Sequence, residues 1–416
     1  MELPKYSVGI GDRFAHQGTA QLDAMLAARE QGVEIAPVWN KSHREHTIVG
    51  STPADVRREA DAAVASRGWT GPYFVDADHI SLASVDSFLD ASDFFTLDVA
   101  DWIGRPAPED DLAQFTGRHR SLVGRLEIPG VDEPVNVSEH TVLQAGRKYL
   151  LAVREAGRIF RHVAKAKGEG NFVTEVSMDE TDRAQTPVDL LFILAAIADE
   201  GIPVQTIAPR FSGRFNKGID YVGDSEQFAR EFEQDLAVIR FAVERFGLPQ
   251  NLKLSVHSGS DKFTLYPLMH RALKRADAGV HLKTAGTTWL EELIGLAMAG
   301  GEGLQIAKEV YRAAVGRYEE LCGPYASVVD IDRSALPSPE AVDRWDEETL
   351  AAALRHDPKC ARYDRNLRQL LHVAYKVAAE MGGRFTAALD RYAGIIGENV
   401  TENLYARHIS PLFLEK

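Results

Sequence analysis

The chain has 416 residues, 45% of them hydrophobic and 26% charged, with a formal net charge of -14. That composition supports a large buried core and excludes disorder as the default state. The negative balance excludes a nucleic-acid or anionic-membrane surface, which needs clustered Lys and Arg to displace counterions, and leaves a small molecule as the expected partner.

Only Cys322 and Cys360 are present, with no CxxC spacing, so a reducing cytoplasm is the expected compartment. The N-terminus carries no basic segment followed by an apolar run, and the longest apolar stretch, 190–198, is too short to span a bilayer. Neither a signal peptide nor a membrane helix is expected.

Eight short apolar, β-branched or aromatic runs ending in polar residues read as strands: 6–12, 33–40, 73–79, 94–101, 172–180, 204–211, 252–260 and 279–286. Amphipathic stretches at 20–31, 53–66, 188–200, 225–246 and 263–276 read as helices between them. Ser51, Thr52, Asp224 and Ser225 are candidate N-caps, with Pro53 suited to a first turn. Alternating β and α units predict a parallel sheet, and eight of them predict closure into a TIM-type (β/α)8 barrel.

The long gap at 102–171 holds an acidic, Pro-containing stretch and a strong helix around 140–165, and is expected to be an insertion after the fourth strand. From 288 onward the pattern is helical. A barrel domain over 1–320 is therefore expected, with a helical C-terminal extension at 321–416 packed on the barrel or covering its mouth. A homo-oligomer built through those helices is compatible with the pattern.

In such a barrel, chemistry sits at the C-terminal ends of the strands. The densest ionisable residues fall there: Asp12 and Arg13 after the first strand, Asn40 after the second, and Asp76, Asp78 and His79 after the third. Asp98 and Asp101 follow the fourth, Glu175, Asp179 and Glu180 the fifth, and Arg210 the sixth. His257 and Asp261 follow the seventh, while His281 and Lys283 close the eighth. Carboxylates in such loops also cap helices, and for Asp98, Asp179, Glu180 and Asp261 the two roles weigh evenly. Glu175 and His281 stand inside apolar strands, where an ionisable group must be paired, liganded or facing a wet cavity.

His79, His257 and His281 lie on converging strand ends, which points to one divalent cation (Zn, Mn, Ni or Co) held by two or three imidazoles and a carboxylate, with an open position for water or substrate. His140, His162 and His356 fall away from the rim and read as structural. Arg13, Arg210, Lys217, Lys262 and Lys283 are candidate cations for a substrate carboxylate or phosphate, although Arg13 and Lys262 could equally neutralise nearby Asp residues. With no GxGxxG after a strand and no Walker A loop, no nicotinamide or nucleotide site is expected.

The runs VDADH (75–79), TLDVAD (96–101), EVSMDETDRAQTP (175–187), FNKGIDYVGDSEQFARE (215–231), SVHSGSDKFTLYP (255–267), HLKTAGT (281–287) and RQLLHVAY (368–375) resemble the signature segments of the tagaturonate epimerase family. The resemblance implies interconversion of tagaturonate and fructuronate with a divalent metal. It places His79, His257 and His281 at the metal and Asp78 and Glu175 as the acid/base pair, with Glu175 as a ligand the alternative. Asp12, Arg13, Asn40, Thr96, Asp98, Arg210, Lys217, Lys262 and Lys283 are then expected to line the substrate.

The two ketouronates differ at a carbon β to the ketone, whose C–H that carbonyl does not acidify. Retro-aldol cleavage and re-addition is the expected route. A metal-dependent ketose isomerase or 3-epimerase, a class II aldolase and a non-catalytic sugar-acid binding protein are the alternatives.

Overall fold

The computed structural model describes residues 1–131, 133–179, 181, 183–284 and 286–414. All eight expected strands form: β1 (Tyr6–Ile10), β2 (Ala36–Ser42), β3 (Phe74–Ile80), β4 (Phe94–Asp98), β5 (Val173–Ser177), β6 (Thr206–Ala208), β7 (Lys253–His257) and β8 (Val280–Lys283). Each pairs in parallel with its neighbour in the chain, and β8 pairs with β1 to close the barrel.

Side chains on a strand alternate between the barrel interior and the surrounding helices. The inward row changes character along the strand, and this is what makes a site. At the N-terminal end Ala36, Val38, Phe74, Phe94 and Val173 close with Leu3 into a small apolar plug. Two residues further on, the same inward rows carry Asn40, Asp76, Thr96 and Glu175, all buried. The outward rows join the main core, where Val8, Val75, Phe95, Val176 and Leu282 meet the helices.

One irregularity matters for the mouth. The β3–β4 register shifts between Ala77 and Ile80, and His79 adopts a left-handed φ of 50°. This bulge places consecutive residues Asp78 and His79 on the same side, at a backbone cost of roughly 1–3 kcal/mol for a non-glycine.

The helices begin where their caps dictate. Thr52 and Asp55 form a capping box with Pro53 in the first turn of Pro53–Arg67, Thr186 and Asp189 do the same for Pro187–Asp199, and Asp224 accepts from Glu226 and Gln227 N–H at the start of Ser225–Phe246. Ser51 and Ser225 do not serve as caps.

The insertion after β4 contains the expected long helix, Glu139–Lys167, and also the helix Glu109–Arg118 and an antiparallel pair, Gly124–Leu126 with Val135–Val137. From Thr287–Ala299 onward the described chain is helical. Asp261, just past β7, ties this segment down: its carboxylate meets Arg368 Nη2 at 2.7 Å, His356 Nδ1 at 3.0 Å and Thr287 Oγ1 at 3.0 Å. Among the described residues no helix is long and apolar enough to cross a membrane.

Candidate active site

Lys283, the last residue of β8, puts its ammonium at the centre of the mouth. Nζ lies 2.8 Å from Asp76 Oδ2, 2.8 Å from Asp78 Oδ1 and 3.0 Å from Glu175 Oε1. It also donates to Thr96 Oγ1, whose hydroxyl in turn reaches Asp76 at 3.0 Å. One cation thus gathers carboxylates from β3 and β5.

Two imidazoles sit above this clamp, each oriented by one of its carboxylates. His79 Nδ1 is 3.0 Å from Asp78 Oδ1, and His257 Nε2 is 2.8 Å from Glu175 Oε1. Thr206 Oγ1 donates to the other Glu175 oxygen at 2.7 Å. The remaining ring nitrogens turn toward Asp179, with His257 Nδ1 3.2 Å from Oδ2 and His79 Nε2 3.9 Å from Oδ1. Ser177 Oγ donates to Asp179 Oδ1.

Charges in this buried cluster set one another. Burial opposes ionisation of Asp78 and Glu175, but Lys283 with His79, and Lys283 with His257, hold them well below the usual carboxylate range. Burial pushes Asp76 up to about 7 in spite of Lys283. Burial also disfavours the imidazolium forms, yet Asp78 brings His79 up to about 10, and Asp179 with Glu175 brings His257 up to about 9.

Ligand atoms of His79, Asp179 and His257 lie within 4.8 Å of one another, close enough to share a metal ion. His257 Nδ1 is buried and faces Asp179 Oδ2 at 3.2 Å, so a divalent cation there would take the place of the ring proton. With the opposite nitrogen of each ring on a carboxylate, the arrangement is the one that orients metal-binding imidazoles. The donor set fits a divalent ion.

His281, expected at the metal, stands outside this group. It lies one inward step below Lys283, where Nδ1 meets Ser7 Oγ at 2.8 Å and the ring packs on Phe94 at 5.3 Å. Burial lowers its pKa to about 3. The register Ser7↔His281 sets its depth. Asp179 occupies the rim position instead, and its oxygens face the two imidazoles without capping a helix.

Two other expected pocket residues are turned to structural work. Asp12 accepts from the backbone N–H groups of Phe14, Ala15, His16 and Gln17. Lys262 Nζ is enclosed by the carbonyls of Asn216, Ile219 and Asp261 at 3.1, 2.9 and 3.1 Å. Neither offers its charge to the mouth. Asn40 is buried beside Asp76 in register, with Oδ1 lacking a partner among the described residues. Asp98 accepts from Ala100 N–H at 3.1 Å, and Arg210 exchanges backbone and side-chain hydrogen bonds with Gln185. Arg13 stands on the rim just after β1 and Lys217 in the loop after β6, and Glu180 lies outside the described residues.

The UxaE family model, described as tagaturonate epimerase, matches residues 1–386. The chain belongs to the tagaturonate epimerase family. Epimerases are isomerases, and that is the enzyme class of this chain. A tagaturonate/fructuronate epimerase from Thermotoga maritima is 27% identical over 427 residues, covering 98% of this chain and 80% of the relative. The crystal structure of fructuronate-tagaturonate epimerase UxaE from Cohnella laeviribosi with one glycerol superimposes with a TM-score of 0.81 at 23% identity, covering 99% of this chain and 82% of that one. Its native form gives 0.79 over the same shares. The tagaturonate epimerase fold therefore extends through the insertion and the C-terminal helices.

The sequence reading placed Asp76 at its strand end without giving it a site role, and missed Thr206 and Ser177. Asp76 carried a readable signal, since strand alternation puts it on the inward face with Asp78. The other two are hydroxyls with no sequence signature.

Proposed function

We propose that this tagaturonate epimerase family member interconverts tagaturonate and fructuronate, using a divalent cation at His79, Asp179 and His257 and a retro-aldol route. The observation that carries the reading is the paired geometry in which each imidazole has one nitrogen on a carboxylate and the other turned toward Asp179. A divalent ion held there would supply Lewis-acid stabilisation of the negative charge that develops on the ketone fragment.

The chain's own groups handle the proton and the geometry. A base takes the β-hydroxyl proton, the bond between the α and β carbons breaks, and its electron pair passes to the ketone fragment as an enediolate. The aldehyde then presents its other face, re-addition forms the bond anew, and the proton returns. Asp78 suits the base role, being ionised and still 8% exposed at the mouth, whereas Glu175 is 0% exposed. Glu175 has both oxygens engaged, by His257, Lys283 and Thr206, and positions the imidazole. Lys283 holds both carboxylates ionised and offers a fixed positive charge to the developing alkoxide.

The test is carbon NMR of tagaturonate with metal-stripped protein in deuterium oxide, with and without Mn²⁺, Zn²⁺ or Ni²⁺. Metal-dependent fructuronate without carbon-bound deuterium is expected. Deuterium beside the ketone would replace the route by α-proton abstraction, and accumulation of free fragments would replace it by an aldolase reaction. No product with any metal would overturn the substrate.

A further inference from the structure

The mouth is walled on one side by chain from far down the sequence. The loop after β6 packs on the helix Arg365–Val373, so that a Cβ on Gly218 would stand 3.3 Å from Arg368 O and His372 Cβ. The next side chain back, Lys217, lies over Gly259, with Nζ 3.2 Å from where a Cβ would be. Gly286 N–H donates to Gly259 O at 3.1 Å, and a Cβ on Gly286 would stand only 2.3 Å from His372 Nε2. The rims of β7 and β8 therefore keep bare backbone where an ammonium and an imidazole converge.

Arg13 joins them from the rim of β1. Its guanidinium stacks 4.5 Å over the Tyr375 ring and pairs with Glu45 at 3.2 Å. Glu45 caps at Ser42, which is in register with Asp78, so this cationic wall stands beside the proposed base.

Polar atoms here are buried without partners among the described residues: His372 Nε2, Arg13 Nε and both amide atoms of Asn216. His372, Arg13 and Asn216 are 3%, 8% and 1% exposed. Burial and then Arg13, Lys217, Arg368 and Lys262 keep the His372 imidazole well below its ordinary pKa. The charges acting most strongly on it are all positive, and those of Arg13 and Lys217 stand on the rim, a field that suits an anion.

We propose that Arg13, Lys217 and His372, with the amide of Asn216, form the subsite that takes the substrate carboxylate, the C-terminal helices completing the active site through His372. This rests on the keto sugar acid reading. In the retro-aldol step the carboxylate stays on the aldehyde fragment, so its grip lets that fragment turn without leaving.

The test is calorimetric binding of gluconate and sorbitol, six-carbon chains that differ by one carboxylate, to the full chain in the presence of EDTA, which removes chelation by metal. Wild type is expected to bind gluconate at least about tenfold more tightly than sorbitol. Lys217→Met, at a half-buried position, and Asn216→Asp, which keeps shape but adds a negative charge, should each remove most of that preference while leaving sorbitol binding unchanged. Absence of preference in wild type, or its survival in both folded variants, overturns the subsite. Turnover separates the two readings. A gluconate-selective protein that does not epimerise tagaturonate keeps the anion subsite and loses the function, whereas epimerisation undiminished by either substitution keeps the function and loses the subsite.

Discussion

The imidazoles of His79 and His257 face each other with ring centroids 5.2 Å apart and planes at 60°, although their strands, β3 and β7, lie on opposite walls of the barrel. The approach depends on the left-handed backbone of His79, which swings its ring inward beside Asp78. Beneath each ring is a carboxylate, and Lys283 bridges the two carboxylates. The result is a preorganised mouth in which ring orientation, charge and proton acceptor are fixed by one lysine.

Asp78→Asn preserves the oxygen that accepts from His79 but cannot take up a proton. Turnover of tagaturonate is expected to fall about 10²–10⁴-fold, with metal content by mass spectrometry unchanged. A rate within about tenfold of wild type would remove Asp78 as the base.

Metal stoichiometry distinguishes the ligand set proposed at the rim from the one expected from sequence. His79→Ala and Asp179→Ala should each weaken divalent-metal affinity at least tenfold, while His281→Gln, one layer deeper against Ser7 and Phe94, should retain it. Retention by Asp179→Ala together with loss by His281→Gln would reverse the assignment.

The barrel was legible because hydrophobic periodicity is local: each strand announces itself by a few apolar residues and a polar end, and closure follows from their number. The clamp residues Asp78, Glu175 and Lys283 were legible for a related reason, as ionisable groups in otherwise apolar strands have few uses besides a site. The depth of His281, one layer below the rim, was not, because it depends on register, which sets whether an inward side chain reaches the rim or the layer below. Lys262 misled for the opposite reason: a lysine in a rim loop looks like a substrate cation until the carbonyls around it are seen.

Asp261 should anchor the C-terminal helices. Burial opposes its ionisation, but Arg368, His356 and His408 hold it well below the usual carboxylate range. Asp261→Asn leaves the fully buried Arg368 guanidinium uncompensated, at an expected cost of about 3–5 kcal/mol. Urea unfolding and limited proteolysis after residue 320 would read this; a variant as stable and as protease-resistant as wild type would show that packing alone holds the segment.

Glu291 gives a stability change with a definite sign in pH. It is buried on the helix Thr287–Ala299, where Asn403 Nδ2 donates to its Oε1 at 2.9 Å. Burial pushes its pKa up to about 7, outweighing Arg368. Below about pH 4.5 the group is protonated in both folded and unfolded chains and contributes nothing to the slope. Between that value and about 7 the folded chain holds the extra proton, so stability falls as pH rises, and above it the buried carboxylate carries a penalty of about 3 kcal/mol. Glu291→Gln keeps an oxygen for Asn403 and has no charge to bury. The variant is expected to match wild type near pH 4.5 and to be more stable by up to about 3 kcal/mol at pH 8, read as the difference in urea midpoints. An equal difference at the two pH values would show that Glu291 does not titrate in this range.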